Sequence, residues 1–210
     1  MGRNKTFPKS AKNGLKGLLA ALVVCVFIIS IPAIAASNQD SASSWAHADI
    51  ELAVMLGLVP PHLQSNYTSA TTRAEFAALG VAMYETFTGR VITGHVSFAD
   101  TTDINVGKMA YLGVVGGVGN NMFAPNSPLT REQAATLTAR LMAVMGHPLP
   151  VYAPTFADSH TISLWAVIAV GQVQAANIMG GVGNNMFSPQ GSYTREQSII
   201  TMLRLFDMVG

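Results

Sequence analysis

Cysteine is almost absent from this 210-residue chain: Cys25 is the only one. No disulfide framework or thiolate metal set can be built, so packing alone must hold the fold. Charge is sparse as well, with Asp, Glu, Lys and Arg together only 11% of residues. Outside the first 16 residues no basic patch of the kind nucleic acid requires is left. The histidines at 47, 62, 95, 147 and 160 are scattered without ligand spacing. No Gly-x-Ser-x-Gly elbow occurs, and no acid–base pair or nucleophile constellation is visible. An enzyme, a cofactor and a metal site are therefore not expected.

The N-terminal stretch has a different character from the rest. Arg3, Lys5, Lys9, Lys12 and Lys16 form a basic region, and Leu18 to Ile31 is uncharged and apolar. Pro32 breaks the run, and Ala33-Ile34-Ala35 offers a small-x-small cleavage site. Residues 1–36 thus read as a secretory signal peptide. The rival reading is an uncleaved membrane anchor, because Gly17 to Ala36 approaches the length of a span. Val24 before Cys25 is too bulky for a lipoprotein site. Cleavage would remove the cysteine and five basic residues, leaving seven basic against eleven acidic ones, a net charge near −4.

What the chain does have is repetition. Thr72-Arg73-Ala74-Glu75, Thr130-Arg131-Glu132-Gln133 and Thr194-Arg195-Glu196-Gln197 each open a helix-forming run. The octapeptide Gly-Gly-Val-Gly-Asn-Asn-Met-Phe precedes the last two, at 116–123 and 180–187. Fixed spacing of this kind marks a repeat protein. Three units follow, 37–88, 98–145 and 156–210, separated by linkers 89–97 and 146–155. Pro148, Pro150 and Pro154 keep the second linker out of any helix. Each unit reads as helix, Gly- and Pro-punctuated loop, helix. Apolar stripes such as Ala77, Gly80, Val81, Tyr84 and Phe87, or Ile199, Met202, Leu203 and Phe206, predict one buried face on each second helix. The fold class is all-α.

Thr72 with Glu75, Thr130 with Gln133 and Thr194 with Gln197 fit capping boxes, which explains those residues without any function. The arginine between them is not so explained. A cation at the first helical position opposes the helix dipole by a few tenths of a kcal/mol, roughly. A carboxylate is its natural partner, because guanidinium binds carboxylate in a two-pronged fork. That partner is either internal (Asp100, Asp158 or Asp40 of a neighbouring unit) or a ligand acid, and the sequence leaves both open. Trp45 and Trp165 stand at the first helices of units one and three, as core residues or as platforms for a sugar ring. Unit two has no tryptophan, and its first helix is expected to be shorter, with 18 residues from Phe98 to Gly116 against 24 from Phe156 to Gly180. The glycines of the octapeptide suggest a tight turn with positive φ.

The ordered series resembles the S-layer homology (SLH) family: Phe156-Ala157-Asp158, Trp165-Ala166, Gly180-Gly181, Phe187-Ser188-Pro189 and Thr194-Arg195-Glu196-Gln197. Unit two matches at Phe98-Ala99-Asp100, Phe123-Ala124-Pro125 and Thr130-Arg131-Glu132-Gln133; unit one at Trp45-Ala46 and Thr72-Arg73-Ala74-Glu75. The resemblance implies three repeats in a pseudo-threefold arrangement around a central three-helix bundle. It implies grooves that bind secondary cell-wall polysaccharide, often pyruvylated, at a bacterial cell surface. On that reading Arg73, Arg131 and Arg195 face the acid or build the groove around it. Trp45 and Trp165 shape the sugar side, with Gly117 and Gly181 in the loops, and Asp100 and Asp158 orient the arginines or accept sugar hydroxyls. Unit one lacks Phe-x-Asp and unit two lacks the tryptophan, so at most two grooves are expected to be complete. The cargo domain that such arrays usually anchor is not expected among these 210 residues. The competing reading is a structural surface-layer or envelope protein whose repeats contact other surface proteins and whose glycan sites have degenerated.

Overall fold

The computed structural model describes residues 41–210. The expected signal peptide 1–36, Cys25 and Asp40 lie outside the described residues. Within them stand six α-helices and no strand: α1 His47–Met55, α2 Arg73–Thr88, α3 Ile104–Tyr111, α4 Arg131–Val144, α5 Val167–Ala175 and α6 Arg195–Val209, with 3-10 turns at Pro61–Leu63 and Ser159–Thr161. The all-α expectation holds. None of these helices is long and apolar enough to cross a membrane.

All three capping boxes form. Thr72, Thr130 and Thr194 accept the amides of residues 75, 133 and 197, whose side chains return to the cap amides. Each box satisfies two of the amides left unpaired at a helix start. The next two amides are satisfied by another unit. Arg73 and Ala74 donate to the Ser127 and Pro125 carbonyls of unit two. Arg131 and Glu132 donate to Gly191 and Pro189 of unit three, and Arg195 and Glu196 to Ser69 and Tyr67 of unit one. The hand-over therefore runs from one to two to three and back to one.

Packing follows the same cycle. The first helix of each unit lies on the second helix of the preceding unit: α3 on α2, α5 on α4, and α1 on α6. The second helix α6 also packs on α2 and α4. Phe76, Leu79, Met83, Leu141, Met142, Met202 and Leu205 from these second helices are buried in one core with Phe123 and Phe187 from the loops. Of the expected stripes, Ala77, Gly80 and Val81 are buried, as are Ile199, Met202 and Leu203, while Tyr84, Phe87 and Phe206 are half-buried at the rim.

The linkers are strapped to the first helices. Val96 donates to the Gly107 carbonyl of α3, and Gln172 of α5 donates to the Leu149 carbonyl. Gly107 and Gly171 permit this approach: a Cβ at 107 would stand 2.8 Å from the Val96 oxygen, and one at 171 only 1.8 Å from the Tyr152 oxygen.

The expectation of a markedly shorter first helix in unit two is corrected. Helix α3 has 8 residues and α5 has 9. The missing residues come from the segment before the helix. In unit three that segment holds the 3-10 turn and the turn carrying Ser163 and Trp165.

Candidate functional site

The three helix-opening arginines differ in their partners. Among the described residues, two of them form no ion pair; backbone carbonyls of the next unit hold them instead. Arg73 Nε donates to the Phe123 carbonyl at 2.8 Å and Nη2 to Gly116 at 2.6 Å. Arg131 repeats this with Phe187 and Gly180, each at 2.7 Å. Their guanidinium planes lie 4.4 and 4.8 Å from the Phe123 and Phe187 ring centres, within cation–π range. Burial pulls both guanidinium pKa values down, with Asp100 opposing at Arg73 and Tyr193 and Asp158 at Arg131. Arg195 does meet a carboxylate, Glu75 at 2.6 Å, and it also donates to the Ser65 carbonyl. The helix dipole penalty is thus offset by contacts that join one unit to the next, which no sequence pattern specifies.

Asp100 and Asp158 are loop braces. The Asp100 carboxylate accepts the Phe123 and Ala124 amides, and Asp158 those of Phe187 and Ser188. Ala124 and Ser188 are left-handed, with φ of 59° and 57°. For Asp100, the Phe123 amide bond is the largest influence and holds the carboxyl below its usual range. For Asp158, burial alone would raise the pKa, and the Phe187 and Ser188 bonds outweigh it.

The octapeptide loops close as tight hairpins in which Val118 and Val182 donate to Met122 and Met186. Positive φ falls on Gly119 and Gly183 and on the Asn pairs 120–121 and 184–185. Gly116, Gly117, Gly180 and Gly181 lie outside that region. Gly117 and Gly181 are needed for close approach, since a Cβ on either would sit 2.8 Å from a carbonyl oxygen. Gly116 and Gly180 face open space and offer their carbonyls to the arginines.

These parts form the walls of two grooves, each assembled from all three units. One is a cavity of about 190 Å³ bounded by Arg73 of unit one, Gly116, Gly117, Gln133 and Arg140 of unit two, and Trp165 of unit three. The other, also about 190 Å³, is bounded by Arg131 of unit two, Gly180, Gly181, Gln197 and Arg204 of unit three, and Trp45 of unit one. The construction is the same in both. Trp45 and Trp165 are 59% and 57% exposed, so they are not core residues. Beneath each tryptophan a buried glutamate fixes its turn: Glu196 accepts the Ser43 amide and hydroxyl, and Glu132 those of Ser163. The Tyr193 hydroxyl, buried in the second groove wall against Thr201, has its pKa pushed up to about 12 by burial.

The third interface lacks this construction. Arg195 is neutralised by Glu75. Counting from the helix-opening threonines, Ala82 replaces Arg140 and Arg204, Ala74 replaces Glu132 and Glu196, and Ser65 replaces Phe123 and Phe187. Counting from the left-handed residues that end the first helices (Gly57, Gly113 and Asn177), Pro60-Pro61 stand in place of the double glycines. Unit two has no tryptophan turn to complete the wall. Sequence reasoning overlooked Arg140, Arg204 and the two glutamates. Their signal was present, since each pair repeats at one offset from its threonine.

The model of the S-layer homology domain matches this chain at residues 100–135, within unit two, and at 155–197, which begins one residue before unit three. The chain is 28% identical to an amylopullulanase of Thermoanaerobacterium thermosulfurigenes over 82% of its length, which is 10% of that protein. It is 27% identical to the exoglucanase XynX of Acetivibrio thermocellus, over 80% of this chain and 16% of the relative. It is 26% identical to an endoglucanase of a Bacillus species, over 88% of this chain and 21% of the relative. It therefore spans between a tenth and about a fifth of the length of these relatives.

Proposed function

Because the chain carries domains of the S-layer homology family, we propose that it is held at a bacterial cell surface by non-covalent binding of secondary cell-wall polysaccharide. The observation that carries this reading is one groove built twice from three separate units, each with an exposed indole facing a pair of arginines. A sugar ring presents a CH-rich face that stacks on indole and hydroxyls that pair with amides and carbonyls. A pyruvyl ketal or another acidic substituent adds a carboxylate, for which guanidinium is the complementary group. Arg73, Arg131, Gly117 and Gly181 build the groove walls, Asp100 and Asp158 hold the loops in place, and Trp45 and Trp165 provide the stacking faces. Arg195, tied to Glu75, belongs to the closed interface. The role is one of binding; the catalytic activities of the three relatives are not carried over to a match covering so little of each.

Sedimentation with purified bacterial wall sacculi tests the proposal. The wild type should pellet with intact sacculi, and a Trp45→Ala/Trp165→Ala variant, with its fold checked by circular dichroism, should remain in the supernatant. A wild type that stays soluble would contradict wall binding. A double variant that pellets fully would remove the grooves from the account.

A further inference from the structure

We propose that Arg140 and Arg204 read the acid group of the ligand, and that the helix-opening arginines do not. This rests on the proposed glycan-binding role of the two grooves. The two arginines occupy the same place, the third turn of α4 and of α6. Each lines its cavity together with the tryptophan of a different unit.

Their hydrogen-bonding capacity is the deciding difference. Arg73 and Arg131 spend the Nε–Nη2 edge, the one that would grip a carboxylate side-on, on two carbonyls apiece. Both are also stacked on phenylalanine rings. Arg195 is paired with Glu75. By contrast, the Arg140 side chain makes no hydrogen bond or ion pair among the described residues. Arg204 gives only Nη1, to the Ile178 carbonyl at 3.0 Å, and its Nε–Nη2 edge is open. Asp207, one turn along α6, is not ion-paired with it. No acid stands one turn away from Arg140 on α4. Two unspent guanidinium forks, in the same position of two equivalent cavities, suit a planar anion on a sugar. Where the groove is closed, the corresponding residue is Ala82 and the cation is missing.

The test uses isothermal calorimetry with three probes: the methyl glycoside of an N-acetylated amino sugar bearing a pyruvate ketal, the same compound as its methyl ester, and the ketal-free sugar. The wild type should bind the acid on the order of tenfold to a hundredfold more tightly than the ester, as expected for a charge-assisted hydrogen-bonded pair. An Arg140→Ala/Arg204→Ala variant should lose that preference while keeping its melting temperature. Arg140→Gln/Arg204→Gln, which keeps the length and polarity but not the charge, should lose it too. Either variant retaining the wild-type preference would overturn the proposal, as would a wild type that does not distinguish acid from ester. Sacculus sedimentation of the same samples separates this from the broader reading. A wild type that pellets without acid preference sinks the arginine assignment alone; one that prefers the acid yet fails to pellet sinks wall binding alone.

Discussion

Two kinds of arginine, alike in a sequence, part company in this structure. Arg131 is 5% exposed, and its removal would leave the buried Phe187 carbonyl without a partner and the exposed Gly180 carbonyl to water. Arg131→Ala should destabilise the protein by about 3 kcal/mol, since buried bonds to a charged group contribute about 1.5–3 kcal/mol each and are not additive. Arg140→Ala should change stability by less than about 0.5 kcal/mol, as an exposed residue whose side chain makes no hydrogen bond or ion pair among the described residues. Urea denaturation of both variants measures the contrast. A pH titration separates the aspartates in the same way. Asp158 has a folded pKa below its unfolded value near 4, roughly. Its contribution is therefore fully present above that unfolded value and is lost as pH falls through the lower folded one. Calorimetry should show Asp158→Asn melting below the wild type at pH 7, with the gap closing below about pH 4. The threonine caps and the repeat of arginine were readable from sequence. The arginines' partners were not, because a backbone carbonyl leaves no trace in residue identity and carboxylates were the only acceptors that sequence could name.

Helix pairing gives each element a second role as platform for its neighbour, and glycines set how close that pairing can be. Gly171 of α5 lies under the 146–155 linker, with no room for a Cβ beside the Tyr152 carbonyl. Gly80 of α2 meets only the far end of a flexible side chain, the Met109 sulfur at 2.9 Å. Gly171→Ala should therefore lower stability severely, displacing the linker from α5. Gly80→Ala should be near neutral, because the helix propensity gained, about 0.5–1 kcal/mol, offsets the shift of Met109. Thermal unfolding of the two variants should give clearly different midpoints; equal midpoints would mean that the linker is not strapped down. Apolar spacing made the second helices legible. The length difference between units two and three was also visible, yet residue counting could not place it. It lies in the turn bearing Ser163 and Trp165, since α3 and α5 must both span the same neighbour.

A closed cycle of hand-overs explains why the chain carries three units, and why a site can exist only between them. Every groove draws on all three, so a change in one unit silences a groove that is mostly built by the others. Sequence comparison along the chain found the missing Phe-x-Asp of unit one and the missing tryptophan of unit two as separate gaps. In three dimensions the missing tryptophan falls at the same interface as Ala82, Pro60-Pro61 and the Glu75–Arg195 pair. Losses that look dispersed along the chain therefore coincide at one interface and leave two copies of the groove. The most direct measurement is a calorimetric count of glycan sites per chain, using the pyruvylated methyl glycoside. Two sites are expected in the wild type, one in Trp45→Ala, one in Trp165→Ala and none in the double variant. Three sites in the wild type, or two surviving in the double variant, would contradict the account.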